Sequence, residues 1–157
     1  MAAAKPTSIP STMATVSTYL NFARTTEQAF AFYKAVFKTD YLGPIKRFSE
    51  LPVGEGIPPV PEADKNLVLH MALPILGGHV LMGSDCPESM GQPFVPGNNV
   101  YINLQPDTRA EADRLFNELS AGGQVEMPMQ DMFWGDYFGS FTDRFGTHWM
   151  VNCSSKH

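Results

Sequence analysis

Apolar and polar positions alternate over Val16–Phe22 (VSTYLNF). Val16, Thr18, Leu20 and Phe22 share one face and Ser17, Tyr19 and Asn21 the other, the period of a half-buried strand. The period then changes. Over Thr26–Lys38 the stripe Ala29, Phe30, Tyr33, Val36 and Phe37 recurs at helical spacing, with Thr25 or Thr26 available as cap and Glu27 and Gln28 in the first turn. Asp40–Phe48 reads as a second strand, and the proline-rich stretch 49–64 as a loop, either a surface flap or a lid. In Asn66–Leu73 (NLVLHMAL) the large apolar residues Leu67, Leu69, Met71 and Leu73 form a face suited to lie under a helix. Asn66, Val68, His70 and Ala72 turn the other way. Gly77-Gly78 closes a hairpin, with His79–Met82 as the returning strand.

After a Pro/Gly connector the pattern restarts. Asn98–Gln105 alternates, with Val100, Ile102 and Leu104 on one face and Asn99, Tyr101 and Asn103 on the other. A helix over Thr108–Ala121 ends at Gly122-Gly123, and Gln124–Gln130 is the next strand. Asp131–Cys153 then forms a hairpin around Asp143-Arg144-Phe145-Gly146, with Asp at the first turn position and Gly at the last. Tyr19-Leu20-Asn21-Phe22 matches Tyr101-Ile102-Asn103-Leu104 at a separation of 82 residues. Gly77-x-His79-x-Leu81 matches Gly146-x-His148-x-Met150 at 69, and the difference of 13 is about the length of the proline-rich loop. The expectation is one domain: a disordered tail over 1–14, a βαβββ unit over 15–85, a linker over 86–97 and a second unit over 98–153.

Composition narrows the function classes. The chain has 157 residues, 43% hydrophobic and 17% charged, with a net charge of −5. No basic run supports nucleic-acid binding, and no apolar run approaches the ~18–20 residues of a membrane span. MAAAKPTSIPST lacks the apolar segment of a secretory signal. Cys86 and Cys153 form neither a zinc spacing nor a disulfide framework, so a reducing cytoplasm is the expected location.

Seven aromatics crowd Phe133–Trp149 (Phe133, Trp134, Tyr137, Phe138, Phe141, Phe145, Trp149), too many for one core face. Either some line a cavity or a partner surface, or the segment is a well-packed terminal hairpin.

Paired βαβββ units resemble the vicinal oxygen chelate superfamily, which includes glyoxalases, bleomycin-resistance proteins and extradiol dioxygenases. Phe133-Trp134, Phe138-Gly139, Thr142-Asp143-Arg144-Phe145-Gly146, Trp149-Met150 and Asn152, with Phe48-Ser49-Glu50 and Leu69-His70-Met71 upstream, make the chain similar to its PhnB-like branch, also labelled 3-demethylubiquinone methyltransferase-like. The resemblance implies an α+β fold: two βαβββ units forming curved mixed sheets around a cavity, with helices outside. No Gly-rich nucleotide loop on a Rossmann unit accompanies the methyltransferase label. In metal-dependent members of the superfamily the ligands come from the first and last strands of each unit. The matching positions here are Ser17, Leu81 (or its neighbour Met82), Asn99 and Met150, none of them His, Asp or Glu. No metal and no cofactor are therefore expected.

The inward face supplies the candidate ligand-binding residues Ser17, Tyr19, Asn21, His70, Asn99, Tyr101 and Asn103, joined by Trp134, His148 and Met150. His70 is the candidate catalytic residue, as general base or orienting donor; the alternative is a cavity histidine satisfied by a tyrosine hydroxyl. His79 and His148 could join His70 in an unorthodox metal site, although no closely spaced histidine pair supports one; His157 is terminal. Glu50 and Asp136 are expected near the cavity mouth, where carboxylates are usually solvated. Two functions stay open. One is a protein that sequesters or senses a small organic molecule in an aromatic-lined cavity. The other is a metal-assisted or His-based lyase, isomerase or dioxygenase. A homodimer is the expected assembly, with Phe133–Phe138 near its interface.

Overall fold

A computed structural model describes residues 13–91 and 93–154; the expected N-terminal tail, apart from its last two residues, and His157 lie outside them. Strand β1 (Thr18–Phe22) leads into helix α1 (Thr26–Phe37), then β2 (Lys46–Arg47), β3 (Val68–Pro74) and β4 (Val80–Asp85). The second half repeats this as β5 (Ile102–Leu104), α2 (Arg109–Ser120), β6 (Gln124–Asp131), β7 (Asp136–Thr142) and β8 (His148–Ser154). The sheets run β1-β4-β3-β2 and β5-β8-β7-β6, the same order twice. β1 lies parallel to β4 and β5 to β8, while the other neighbours are antiparallel. This is the expected pair of βαβββ units.

Each helix covers one face of its own sheet. Ala29, Phe30, Tyr33 and Val36 of α1, and Ala112, Leu115, Phe116 and Leu119 of α2, are buried against Met71, Leu73, Leu81, Phe141, Trp149 and Val151. Gly83 admits the Phe30 ring, for a Cβ there would stand 2.8 Å from it. Thr108 caps α2 by accepting from the Glu111 amide. At α1 the cap differs from the expectation. Neither Thr25 nor Thr26 offers a side-chain cap; the buried Asp85 carboxylate at the end of β4 accepts from the Thr26 amide and hydroxyl and from the Val68 amide.

The turn at Asp143–Gly146 forms as its composition predicts, with the Gly146 amide donating to the Asp143 carbonyl at 3.0 Å and Gly146 at φ 94°. Other boundaries move. The strand expected over Asp40–Phe48 shrinks to Lys46–Arg47, because the chain turns at Gly43 (φ 74°) and Pro44 and coils at Phe48–Glu50. The strand expected over Asn98–Gln105 shrinks to Ile102–Leu104, since β8 starts at His148 and leaves Asn98 and Asn99 without a partner strand. The parity of β3 also breaks. Lys46 pairs with His70 but Arg47 with Val68, so an irregularity between them turns Val68 into the core while His70 keeps the outward face.

The two sheets also correct the alignment of the last strands. Leu20 pairs with Gly83 as Ile102 pairs with Trp149, so His148 occupies the place of Met82, not of His79. No helix among the described residues is long and apolar enough to cross a membrane.

Candidate functional site

In each unit one sheet face packs on a helix and the other is open. Tyr19 pairs with Met82 across β1 and β4, and its hydroxyl lies 3.1 Å from His70 Nδ1, the rings 5.7 Å apart. Tyr19 is 47% exposed and His70 half-buried, so a solute can reach both. Asn21 and Ser84 pair on the same face, the Ser84 hydroxyl donating to the Asn21 carbonyl oxygen at 3.1 Å. Ser17 sits beside Met82, its hydroxyl 3.8 Å from the thioether sulfur. The expected register therefore slips by one: Leu81 is fully buried under α1, and Met82 stands next to Ser17.

The second unit carries a denser polar network on its open face. Tyr101 and His148 are neighbours with ring centroids 5.2 Å apart. The Tyr101 hydroxyl donates to Glu126 Oε1 at 2.9 Å, and hydrogen bonding to that carboxylate raises the phenol above its usual range. Thr142 Oγ1 lies 2.8 Å from His148 Nδ1 and 3.4 Å from Glu126 Oε2. His148 Nε2 donates to the Gly97 carbonyl at 2.9 Å, which ties the inter-unit linker to β8. Because a carbonyl only accepts, this bond places the His148 proton on Nε2 and leaves Nδ1 to accept from Thr142 in the neutral ring. Asn103 pairs with Met150, both on this face, and Asn152 donates to Asp136 at 3.2 Å.

The three internal histidines diverge. His70 meets Tyr19, His79 Nε2 meets Thr18 Oγ1 at 2.8 Å, and His148 meets Thr142. Among the described residues no three His, Cys, Asp or Glu side chains converge, so the three-histidine metal site does not form. With Met82 in place of Leu81, the register of the two sheets makes His148 rather than Met150 its counterpart. The matching superfamily ligand positions hold Ser17, Met82, Asn99 and His148: one imidazole, already bonded to Gly97 and Thr142, beside an amide and a hydroxyl that bonds a thioether. That donor set does not fit a hard divalent cation.

A cleft of about 840 Å³ opens between β1, the linker and the β7–β8 turn, lined by Tyr19, Asn21, Phe94, Val100, Arg144 and His148 among others. It does not include His70, Tyr101, Asn103 or Met150. The candidate residues thus divide: Tyr19, Asn21 and His148 meet at the cleft, and His70 joins them only through Tyr19. Asn99 is exposed and precedes its strand. Trp134, 52% exposed, packs edge-on against Phe133 at 4.9 Å in the β6–β7 turn, away from the other candidates. Glu50 accepts from the Arg47 amide at 2.6 Å and takes no part in the open face.

The crowded aromatics divide as well. Phe141 and Trp149 are core, Phe145 packs on Phe32 and Tyr33, and Phe133 and Trp134 project outward. Sequence reasoning missed Glu126 and Thr142. The four-residue turn could have set Thr142 opposite His148; the strand that carries Glu126 was expected, but its register against β7, which shifts at two places, is what brings Glu126 to Tyr101 and Thr142.

Comparison with known proteins gives the same fold. Residues 14–152 match a family model described as 3-demethylubiquinone-9 3-methyltransferase. The crystal structure of protein PA1353 from Pseudomonas aeruginosa is similar at TM-score 0.76 and 34% identity, over 90% of this chain and 98% of that one. A putative 3-demethylubiquinone-9 3-methyltransferase, PhnB protein, from Bacillus cereus is similar at TM-score 0.69 and 22% identity, over 90% and 100%. A glyoxalase/bleomycin resistance protein/dioxygenase family enzyme from Burkholderia phytofirmans shares the fold at TM-score 0.56 and 17% identity, over 87% and 96%.

Proposed function

Because the chain belongs to the family described as 3-demethylubiquinone-9 3-methyltransferase, the PhnB-like branch of the glyoxalase/bleomycin resistance/dioxygenase superfamily, we propose that it binds a small organic molecule on the open faces of its sheets. One observation carries this reading. Tyr19 and His70 form a hydrogen-bonded pair on a solvent-reachable sheet face, while the opposite face of that sheet is close-packed core. A polar row backed by a rigid apolar layer can present fixed donors and acceptors to a ligand. Tyr101, Asn103, His148 and Met150 form the corresponding face of the second unit, and Tyr19, Asn21 and His148 reach the cleft between the units. The free thiols Cys86 and Cys153 suit a reducing cytoplasm.

Methyl transfer is not the chemistry this scaffold favours. The β1–α1 turn is Ala23-Arg24-Thr25, with no glycine to bring a nucleotide against the helix. The Tyr19–His70 pair supports a second reading, an acid–base enzyme. With Nδ1–H donating to the Tyr19 oxygen, His70 Nε2 would be the free base.

Native mass spectrometry of the purified protein, followed by ligand titration of Tyr19→Phe and His70→Gln, separates these outcomes. Binding that weakens in both variants supports the reading. Unchanged affinity in both would move the ligand off this face, and turnover abolished only in His70→Gln would favour the enzyme.

A further inference from the structure

The strands of the two units carry opposite charge. β1–β4 hold Lys46, Arg47 and a single carboxylate, Asp85, which is buried under α1 and occupied by Thr26 and Val68. β5–β8 hold Glu126, Asp131 and Asp136, with no Lys or Arg. Arg47 turns toward the helix and grips Glu27 with two bonds of 2.9 and 3.0 Å. Lys46 is exposed and paired directly opposite His70, and so stands with it on the open face. The register that pairs Met71 with Gly83 sets His70 level with Ser84, and Ser84 pairs with Asn21. Lys46, His70, Ser84 and Asn21 form one row across all four strands.

Bonds within this row consume acceptors and leave donors. Ser84 donates to the Asn21 carbonyl oxygen, so the Asn21 amide N–H2 is unengaged among the described residues. The Tyr19–His70 contact fits either direction; the anion subsite uses the form in which the Tyr19 hydroxyl donates to Nδ1 and the His70 proton sits on Nε2, the opposite of the form an acid–base role requires. Among the described residues, neither His70 Nε2 nor Lys46 Nζ has a hydrogen-bond or ion-pair partner, and no carboxylate shares the face.

We propose that this row is an anion subsite, in which Lys46 and His70 hold the carboxylate or phosphate-type oxyanion of a small organic ligand. Asn21, two strands and roughly 10 Å beyond His70, donates to a second acceptor on the same molecule. The inference rests on the reading that the open face is the ligand site, and it adds the ligand's charge. The second unit does not duplicate the subsite. Its open face presents Glu126 and Asp136, and its donors Tyr101 and Asn152 are already committed to them. One such anion per chain follows.

The test is NMR of the His70 ring in the full chain, titrated at constant ionic strength in phosphate-free buffer. Benzoate and phenyl phosphate are the anionic probes, with benzyl alcohol and benzylamine as neutral and cationic matches. Both anions should shift the His70 resonances saturably, each at least about tenfold more tightly than its matches. Their relative affinities distinguish a carboxylate from a phosphate ligand. Lys46→Gln, at an exposed residue, should weaken benzoate about tenfold without altering the fold. Benzyl alcohol binding as tightly as benzoate, or an unchanged Lys46→Gln affinity, would overturn the anion subsite and leave the open-face reading standing. Saturable shifts confined to the cleft around Phe94 and Arg144 would overturn both.

Discussion

Tyr33 of α1 donates its phenolic hydrogen to Asp143 Oδ2 at 2.5 Å, a bond that crosses from the first unit to the turn of the second. Asp143 is buried, yet its carboxylate is fully engaged. Oδ1 accepts from the Phe145 and Thr147 amides at 2.8 and 3.0 Å, and Oδ2 also accepts from Trp149 Nε1 at 2.8 Å. The same aspartate that starts the turn therefore docks the first helix, which joins the units through a satisfied polar knot inside an aromatic cluster.

Tyr33→Phe should cost about 1–3 kcal/mol in urea unfolding, because it withdraws one donor from a buried carboxylate. A loss below about 0.5 kcal/mol would show that the remaining three donors suffice. The wild type should also lose stability in alkali. Burial first, and the Asp143 charge second, hold the Tyr33 hydroxyl well above its ordinary value of 10.0. Above that pH the unfolded chain ionises while the folded one resists, so stability falls as pH rises past 10; Tyr33→Phe should flatten that part of the profile.

The helix stripes, the repeated strand order and the Asp143–Gly146 turn were legible because each is a local pattern: a period, a cap, or a residue pair suited to a turn. Tyr19 and His70 were placed on one face by parity alone. What escaped was long-range. Asp85 caps a helix that began some sixty residues earlier, so no local motif announces it. Val68 and Lys46 depend on an irregularity between two strands separated by the proline-rich loop, and parity fails wherever a register shifts. The match between His79 and His148 was a likeness of residues at different register positions.

The helix–sheet contacts have little slack at two glycines. A Cβ on Gly83 would meet the Phe30 ring at 2.8 Å, and one on Gly139 would meet the Phe116 ring at 2.7 Å. Gly83→Ala and Gly139→Ala should each destabilise by about 1–3 kcal/mol in thermal or urea unfolding through overpacking. Phe30→Leu in the Gly83→Ala background should recover part of the loss. Failure to recover would place the strain elsewhere, for instance at Thr26 Cγ2, 3.0 Å from the same Cβ.

Asp64 fastens three segments at once. It accepts from Ser89 at 2.6 Å and from Arg24 at 2.8 Å, linking the end of the proline-rich loop, the start of the linker and the β1–α1 corner. The Ser89 hydrogen bond, then the Arg24 guanidinium, hold its carboxyl below the usual range. A lowered carboxyl contributes stability above its ordinary pKa of 3.8 and loses it as pH falls through the folded value. Limited proteolysis of the 49–64 and 86–97 segments should therefore accelerate in acid, below about pH 4. Asp64→Asn should cleave faster than wild type at neutral pH and show less acid dependence. Identical profiles for the two proteins would show that the clasp does not hold these segments.

The outward aromatics predict the assembly. Phe133 is 97% and Trp134 52% exposed, on a turn fixed by the Met132 amide to the Asp136 carbonyl at 2.8 Å and the Gly135 amide to the Met132 carbonyl at 2.9 Å. Beside them β6 is an edge strand, with Val125 and Met127 also exposed. Exposed Val125 and Met127 next to a rigid aromatic tip are costly to leave in water, and an isologous contact with a second copy buries them together. A C2 dimer should therefore form through β6 and the Phe133–Trp134 tip, burying more than roughly 1,000 Å² in total. Light scattering at micromolar concentration should give twice the chain mass of 17.3 kDa. Trp134→Ala should shift the population to monomer while leaving the helical content intact. A wild-type monomer would refute the dimer, whereas an undisturbed dimer in Trp134→Ala would refute only its location and point instead to the open edges of β1 and β5.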